Sequence, residues 1–230
     1  MIGGRALRQV LVEVIARTDA EGALLELSHG TPLRRFIRPL SSLIRSEDGE
    51  SRHHAVAALG WVTAELARTG LEAARDVVRR LMLTLTEESG GIGWGSPEAI
   101  GEILARHEGL AAEYASILLS YAREVEDGNY LEHVPLQRGV QWGLARLAEA
   151  SPELLIAEEA PACLRPHLRS EDAAIRALAA RTTALLGAEH TACPEWDAIL
   201  DDKATVSLYI DGVRIDRRVQ DLARTARKDV

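Results

Sequence analysis

Apolar residues recur along this chain at three- and four-residue intervals, in stretches separated by short polar turns, and this is the period of an amphipathic helix. In "ALRQVLVEVIA", Leu7, Val10, Leu11, Val14 and Ile15 fall on one face. "DAEGALLEL" predicts a short second helix, opened by Asp19 and ended near Gly30. Pro32 opens "PLRRFIRPLSSLI", where Pro39 stands inside the pattern and is expected to kink or split it. "SEDGES" reads as a turn, and "RHHAVAALGWVTAELARTG" as a helix stopped by Gly70. Near the end the period changes from helical to alternating. "TVSLYIDGVRIDRRV" places Val206, Leu208 and Ile210 on one face and Val213 and Ile215 on one face, around Asp211-Gly212, which predicts a β-hairpin. A lone hairpin is marginal in water, so it is expected to pack on the last helices or to pair with another subunit.

The helices come in pairs, and the second member of each pair looks alike. Ala58-Leu59-Gly60, Ala99-Ile100-Gly101 and Gly143-Leu144-Ala145 form a column, with Thr182-Thr183-Ala184 as a weaker fourth copy, at successive spacings of 41, 44 and 39 residues. Arg52, Arg138 and Arg176 stand five or six residues ahead of three of these cores. Two helices per period of about 40 residues is the signature of HEAT-type repeats. Small residues let the second helix approach its partner closely, while Leu59, Ile100 and Leu144 fill the core. The alternative is an Ala/Leu-rich bundle, but period and pairing agree on the repeat. The expected fold is all-α, a HEAT-like α-α superhelix of about four to five helix pairs with a short C-terminal hairpin. Its parts are N-terminal capping helices over 1–45, repeats over 46–190, and a C-terminal cap over 191–230 with the hairpin near 205–217.

Several stretches carry a resemblance. "RRLM", "EESGGIGWGSPEAIGEI", "ILLSYARE", "EDGNYLEH" and "LQRGVQWGLARLAE" together resemble a bacterial family of HEAT-like repeat proteins, seen mainly in sulfate-reducing and related anaerobic bacteria. Its repeats are similar to those first named from phycobilisome lyases. The resemblance spans about residues 30 to 190. The family has no established activity, so the resemblance implies the fold and leaves function open. The chain departs from the pattern at Leu83, where a tryptophan is usual, and in "REVEDGNY", which carries two extra residues before Asp-Gly.

Composition narrows the function classes. Hydrophobic residues make up 47% of 230, which excludes a disordered chain, and a net charge of −8 disfavours phosphate-backbone binding. Cys163 and Cys193 lack CxxC spacing, so neither a zinc site nor a redox motif is expected, and reduced cysteines in a cytoplasmic protein fit best. "MIGGRALRQV" has no signal-peptide apolar run, and no segment approaches the roughly 18 apolar residues of a membrane span.

The most unusual stretch is "TLTEESGGIGWGSPEAIGEI", residues 84–103. Gly90, Gly91, Gly93 and Gly95 precede a helix opened by Ser96 and Pro97, as a phosphate cradle would. The segment before it reads as helix rather than strand, no Lys follows, and Glu87, Glu88 and Glu98 would repel an anion. Glu98 and Glu102 share a helix face at i, i+4, a spacing open to acid–base or metal chemistry. HEAT-like hydroxylases bind iron through several His-Glu pairs, whereas His107-Glu108 is the only such dipeptide here. Arg106 continues the row, so a surface ion-pair ladder is expected. His53, His54, His133 and His167 have no metal spacing. No catalytic residue, metal or cofactor is expected.

Equivalent turns of a repeat stack along one edge. That edge would gather Glu47, Asp48, Glu50, Glu87, Glu88, Glu126, Asp127, Glu132, Glu171 and Asp172. Helix capping explains most of these acids. It does not explain Trp94 and Tyr130, two aromatics amid carboxylates, which would suit a cationic group; Trp94 has a second reading as an inward loop anchor. The expected binding residues are Glu87, Glu88, Trp94, Glu98, Glu102, Asn129, Tyr130, Glu132, Arg138 and Trp142, with Arg146 nearby. The expected function is a non-enzymatic scaffold for a protein partner or cationic ligand. The alternative is an enzyme of lyase or DNA-glycosylase type; a glycosylase would need Arg75, Arg79, Arg80, Arg138, Arg146 and Arg176 to converge into a basic face for DNA. A homodimer through the hairpin is a further expectation.

Overall fold

The computed structural model describes residues 3–86, 93–210 and 212–225. Among these are thirteen α-helices and one two-stranded antiparallel sheet, and no helix is long and apolar enough to cross a membrane. The chain divides into two compact units, Met1–His107 and Glu108–Val230.

The first unit holds α1 (Gly4–Ile15), α2 (Ala20–Ser28), α3 (Arg34–Leu43), α4 (Gly49–Thr69), α5 (Leu71–Thr86) and α6 (Ser96–Arg106). The apolar stripe of α1 buries Leu7, Leu11 and Ile15, while Val10 and Val14 are half-buried at its margin. Asp19 occupies the N-cap position of α2 but does not cap it, because its carboxylate pairs with Arg17 at 3.0 Å. Pro39 neither splits nor ends α3. A proline removes one helical donor, and burial of Phe36, Leu40 and Leu43, with packing on α4, outweighs that loss. Asp48 caps α4 by accepting from the Ser51 amide at 2.8 Å. α3 pairs with α4, α5 pairs with α6, and the two second helices α4 and α6 pack on each other. The expected column is buried: Ala58, Leu59 and Gly60 on α4, and Ala99, Ile100 and Gly101 on α6. A Cβ at Gly60 would stand 2.5 Å from Glu102 Cγ, so glycine sets how closely these helices cross.

The second unit holds α7 (Glu108–Ser120), α8 (Val134–Ala150), α9 (Pro152–Ala157), α10 (Ala160–Leu164), α11 (Ala173–Leu186), α12 (Pro194–Leu200), β1 (Thr205–Ile210), β2 (Val213–Arg218) and α13 (Val219–Thr225). Here α11 packs along both α8 and α13. Gly143, Leu144 and Ala145 are buried, as are Thr182, Thr183 and Ala184. The threonines fit the column because their hydroxyls donate to Leu178 O and Ala179 O, both at 2.9 Å, within their own helix.

Second helices are also joined by charge. Arg138 of α8 reaches Asp172, the N-cap of α11, at 2.5 Å, and Arg176 of α11 reaches Asp202 at 2.8 Å. Ser46, Asp48 and Arg52 recur as Ser170, Asp172 and Arg176. In both copies the arginine donates back to the serine carbonyl, at 3.3 Å and 2.7 Å.

The hairpin is inserted between α12 and α13. β1 and β2 pair from Thr205↔Arg218 to Ile210↔Val213. Gly212 has the positive φ of 74° that such a turn requires, and Asp211 lies outside the described residues. Val206 and Leu208 are buried, and β1 packs on α11.

Candidate functional site

In the turn before α6, Gly93 and Gly95 are explained by close packing. The Ser96 amide donates to Gly93 O at 3.0 Å, and Gly95 has φ +75°, the left-handed backbone of a type II turn. A Cβ at Gly95 would stand 2.3 Å from Ile44 O, and one at Gly93 2.7 Å from Thr84 Oγ1. Ser96 is buried, with its hydroxyl 2.8 Å from that of Thr84. Trp94 sits half-buried between these two tight glycines. Glu87, Glu88, Gly90 and Gly91 lie outside the described residues.

Glu98 is half-buried, and burial pushes its carboxyl above the ordinary value while Arg52 opposes the shift. Arg52 Nε is buried without a partner among the described residues. The expected surface ladder through Glu102 is corrected. Glu102 is 3% exposed, pressed against Gly60, and bonded to Arg106 Nε at 2.6 Å. Arg106 then reaches outward to Glu21 at 2.7 Å. The row is therefore a buried carboxylate with one arginine lid, because α4 covers that face of α6.

In the turn before α8, "VEDGNYLE" forms a hydrogen-bonded hook. Gly128 N donates to Val125 O at 3.1 Å around Asp127, whose φ is 56°. A Cβ at Gly128 would lie 2.6 Å from Val125 Cγ2. Asn129 Nδ2 donates to Ser120 Oγ at 3.1 Å, which assigns Asn129 an anchoring part. Tyr121 O accepts from Leu131 N at 3.1 Å and from Gln137 Nε2 at 2.6 Å, tying the hook to the end of α7 and the start of α8. This presents Tyr130, half-buried, with Glu132 exposed beyond it.

Tyr130 borders a cleft of about 460 Å³, lined also by Arg123, Glu124, Glu159, Cys163, Pro166 and His167. The other wall exists because the first helix of this pair is broken. Glu159 takes φ 61° between α9 and α10, and Pro161 and Pro166 stand in the first turns of α10 and of the 3-10 segment after it, where a missing N–H costs no helical bond. The segment is α9, α10 and a 3-10 turn over Arg165–Arg169.

His167 lies across from Tyr130, ring centroids 6.4 Å apart, with Nε2 2.7 Å from Ala122 O. Burial lowers the His167 pKa, so the neutral ring donates through Nε2. Burial raises the Cys163 pKa, keeping a thiol rather than a thiolate. The Tyr130 pKa is raised by burial and then by Glu124 and Glu132, so the hydroxyl stands in a negative field. Arg123 is tied to Glu158 O at 2.9 Å. The clue in the sequence was the pair of prolines in "AEEAPACLRP", next to Cys163 and His167.

The remaining expected residues have structural partners. Arg138 is held by Asp172, and Trp142 Nε1 donates to Tyr209 O at 2.7 Å, pinning the hairpin to α8. Trp94 belongs to the first unit and Tyr130 to the second. Of the arginines a nucleic-acid face would use, Arg75 and Arg79 pair with Glu72, Arg146 with Glu149, and Arg176 with Asp202, while Arg80 is exposed. Among the described residues no three His, Cys, Asp or Glu side chains are placed to hold a metal.

Solved structures that resemble the chain include two engineered proteins and a designed armadillo repeat protein. An engineered protein from a structural genomics consortium aligns at TM-score 0.59 and 16% identity, covering 98% of this chain and 90% of that one. A second engineered protein from the consortium aligns at TM-score 0.51 and 16% identity, covering 96% and 95%. A designed armadillo repeat protein aligns at TM-score 0.50 and 20% identity, covering 96% and 98%. The chain has an α-α helical-repeat fold. At these identities the likeness concerns the fold alone. No family model matches the chain, and no curated protein matches it.

Proposed function

We propose that this helical-repeat protein is a non-enzymatic scaffold of the HEAT-like kind that binds a cationic group, a Lys or Arg side chain of a protein partner, at the Tyr130 cleft. The observation that carries this reading is the juxtaposition in one cleft of an aromatic ring with Glu124, Glu159 and the neighbouring Glu132. A ring face attracts a cation by about 0.5–2 kcal/mol, and the exposed carboxylates beside it add a screened attraction. A volume of about 460 Å³ accommodates one long side chain and the backbone around it. The setting proposed is cytoplasmic. The glycosylase reading has no such support, because the arginines that it requires are mostly spent on carboxylates.

The test compares immobilised Arg-containing and citrulline-containing peptides of the same sequence as ligands for the full chain. Retention on arginine but not citrulline, reduced about tenfold or more by Tyr130→Ala or Glu124→Gln, is the expected result. Equal retention on both peptides, or variants that bind as the parent does, would remove the cleft from the reading.

A further inference from the structure

The hairpin has one covered edge and one open edge. Two contacts fix which backbone groups face outward. Val219 N donates to Ala204 O at 3.0 Å, closing the end of the ladder, and Trp142 covers Tyr209 O on the far side of β1. Antiparallel ladders alternate between bonded and non-bonded pairs. The Ala204–Val219 contact therefore makes 206/217, 208/215 and 210/213 the bonded pairs. The N–H and C=O groups of Arg214, Asp216 and Arg218 then point away from β1. Trp142 of α8 holds the β1 edge at Tyr209, whereas along β2, among the described residues, the contact to an outward backbone group comes from within the strand, where the Arg217 guanidinium donates to Asp216 O at 3.1 Å. The apolar side of β2 is also incompletely covered: Val213 is 61% exposed and Ile215 half-buried.

We infer that β2 pairs with β2 of a second copy of this chain across a two-fold axis at Ile215, forming a continuous four-stranded antiparallel sheet. The charge sequence supports this occupant and selects one register. An edge ladder must place outward-facing residues opposite one another. With the axis at Ile215, Arg214 lies opposite Asp216 of the second copy, and Asp216 opposite its Arg214, giving two opposite-charge cross-strand pairs. Ile215 meets Ile215 in the closer, non-bonded position on the other face. Sliding by two residues one way sets Asp216 against Asp216 and Arg214 against Arg218; sliding the other way sets Arg214 against Arg214. Like charges directly opposite destabilise a sheet. Charges on an edge strand normally guard against pairing, but opposite signs two residues apart make this strand complementary to itself under two-fold symmetry. Both side chains are exposed and now share Ser207: Asp216 accepts from its hydroxyl, and Arg214 reaches it at 3.4 Å.

Sedimentation velocity of the full chain across a concentration series tests the pairing, with circular dichroism confirming that each variant is folded. The parent chain should sediment as a dimer. Arg214→Asp puts like charges opposite twice and should raise the dimer Kd about tenfold or more. Arg214→Asp with Asp216→Arg restores complementarity and should restore the dimer. Tyr130→Ala should leave the dimer intact, so this result is independent of the cleft. A parent chain that remains monomeric at hundreds of micromolar overturns the inference and gives the edge to a strand of another protein. An undiminished dimer in Arg214→Asp, or no recovery in the double variant, overturns it as well.

Discussion

Two single residues show how tightly the first unit constrains its turns. Gly95 combines a left-handed backbone with a carbonyl where its Cβ would be. Gly95→Ala therefore meets both left-handed strain and a backbone clash, and should destabilise the chain by about 2 kcal/mol or more in chemical denaturation. A loss of a few tenths would mean that the turn relaxes freely. His53 makes a prediction in pH. Burial, then the charges of Arg52 and His54, lower its pKa from the ordinary 6.5 to about 4. Between those values the unfolded chain binds a proton that the folded chain refuses. The contribution of the neutral ring is thus full above about pH 6.5 and is lost progressively as pH falls towards 4. Unfolding free energy should fall by about 3 kcal/mol across that window through His53 alone. His53→Gln should remove that part of the slope, and an unchanged slope would assign it to other groups.

At the scale of elements, the joints between second helices are electrostatic and unequal. Asp172 is a cap and a partner at once. It accepts from Ala174 N and Ile175 N, both at 3.0 Å, and holds Arg138. Arg138 is half exposed, so its side of the pair is screened. Asp172→Ala should cost about 1–2 kcal/mol and Arg138→Ala well under about 1 kcal/mol, with a double-mutant cycle isolating the coupling. Trp142→Phe keeps an aromatic ring but loses the bond to Tyr209 and part of the indole's packing, which should cost about 1–2 kcal/mol and speed amide exchange in β1 more than in α8. These joints also mark how far the sequence was legible. The hairpin was readable because Asp-Gly and an alternating pattern are local signals. The repeat was readable because Leu59, Ile100 and Leu144 recur at a fixed spacing. Pro39 does not split its helix because burial of Phe36, Leu40 and Leu43 outweighs one missing donor. Glu102 misled because helical spacing says which residues share a face, but not that Gly60 will cover that face. The cleft was missed because it arises where a first helix breaks, and Trp142 pinning Tyr209 joins residues far apart in sequence.

At the scale of the whole molecule, the C-terminal segment has two separable parts. Val219, Leu222 and Ala223 of α13 are at most 2% exposed, and Asp202 holds Arg176 of α11. Ending the chain after Leu200 would uncover α11 and unpair that arginine. The apolar part alone amounts to about 3–5 kcal/mol, a large share of a typical domain's stability. Such a truncation should unfold at much lower temperature or aggregate, so it cannot isolate the role of the hairpin. Removing only the strands should behave differently. Ala204 and Val219 are already hydrogen-bonded at 3.0 Å, so a short Gly-containing turn can replace residues 205–218 while α13 stays on α11. The losses are then the burial of Val206 and Leu208 and the Trp142 bond. Thermal unfolding should show a small decrease for this variant and a large one for the truncation. If the strand deletion proves as damaging as the truncation, the hairpin is part of the core of the second unit rather than an attachment to it.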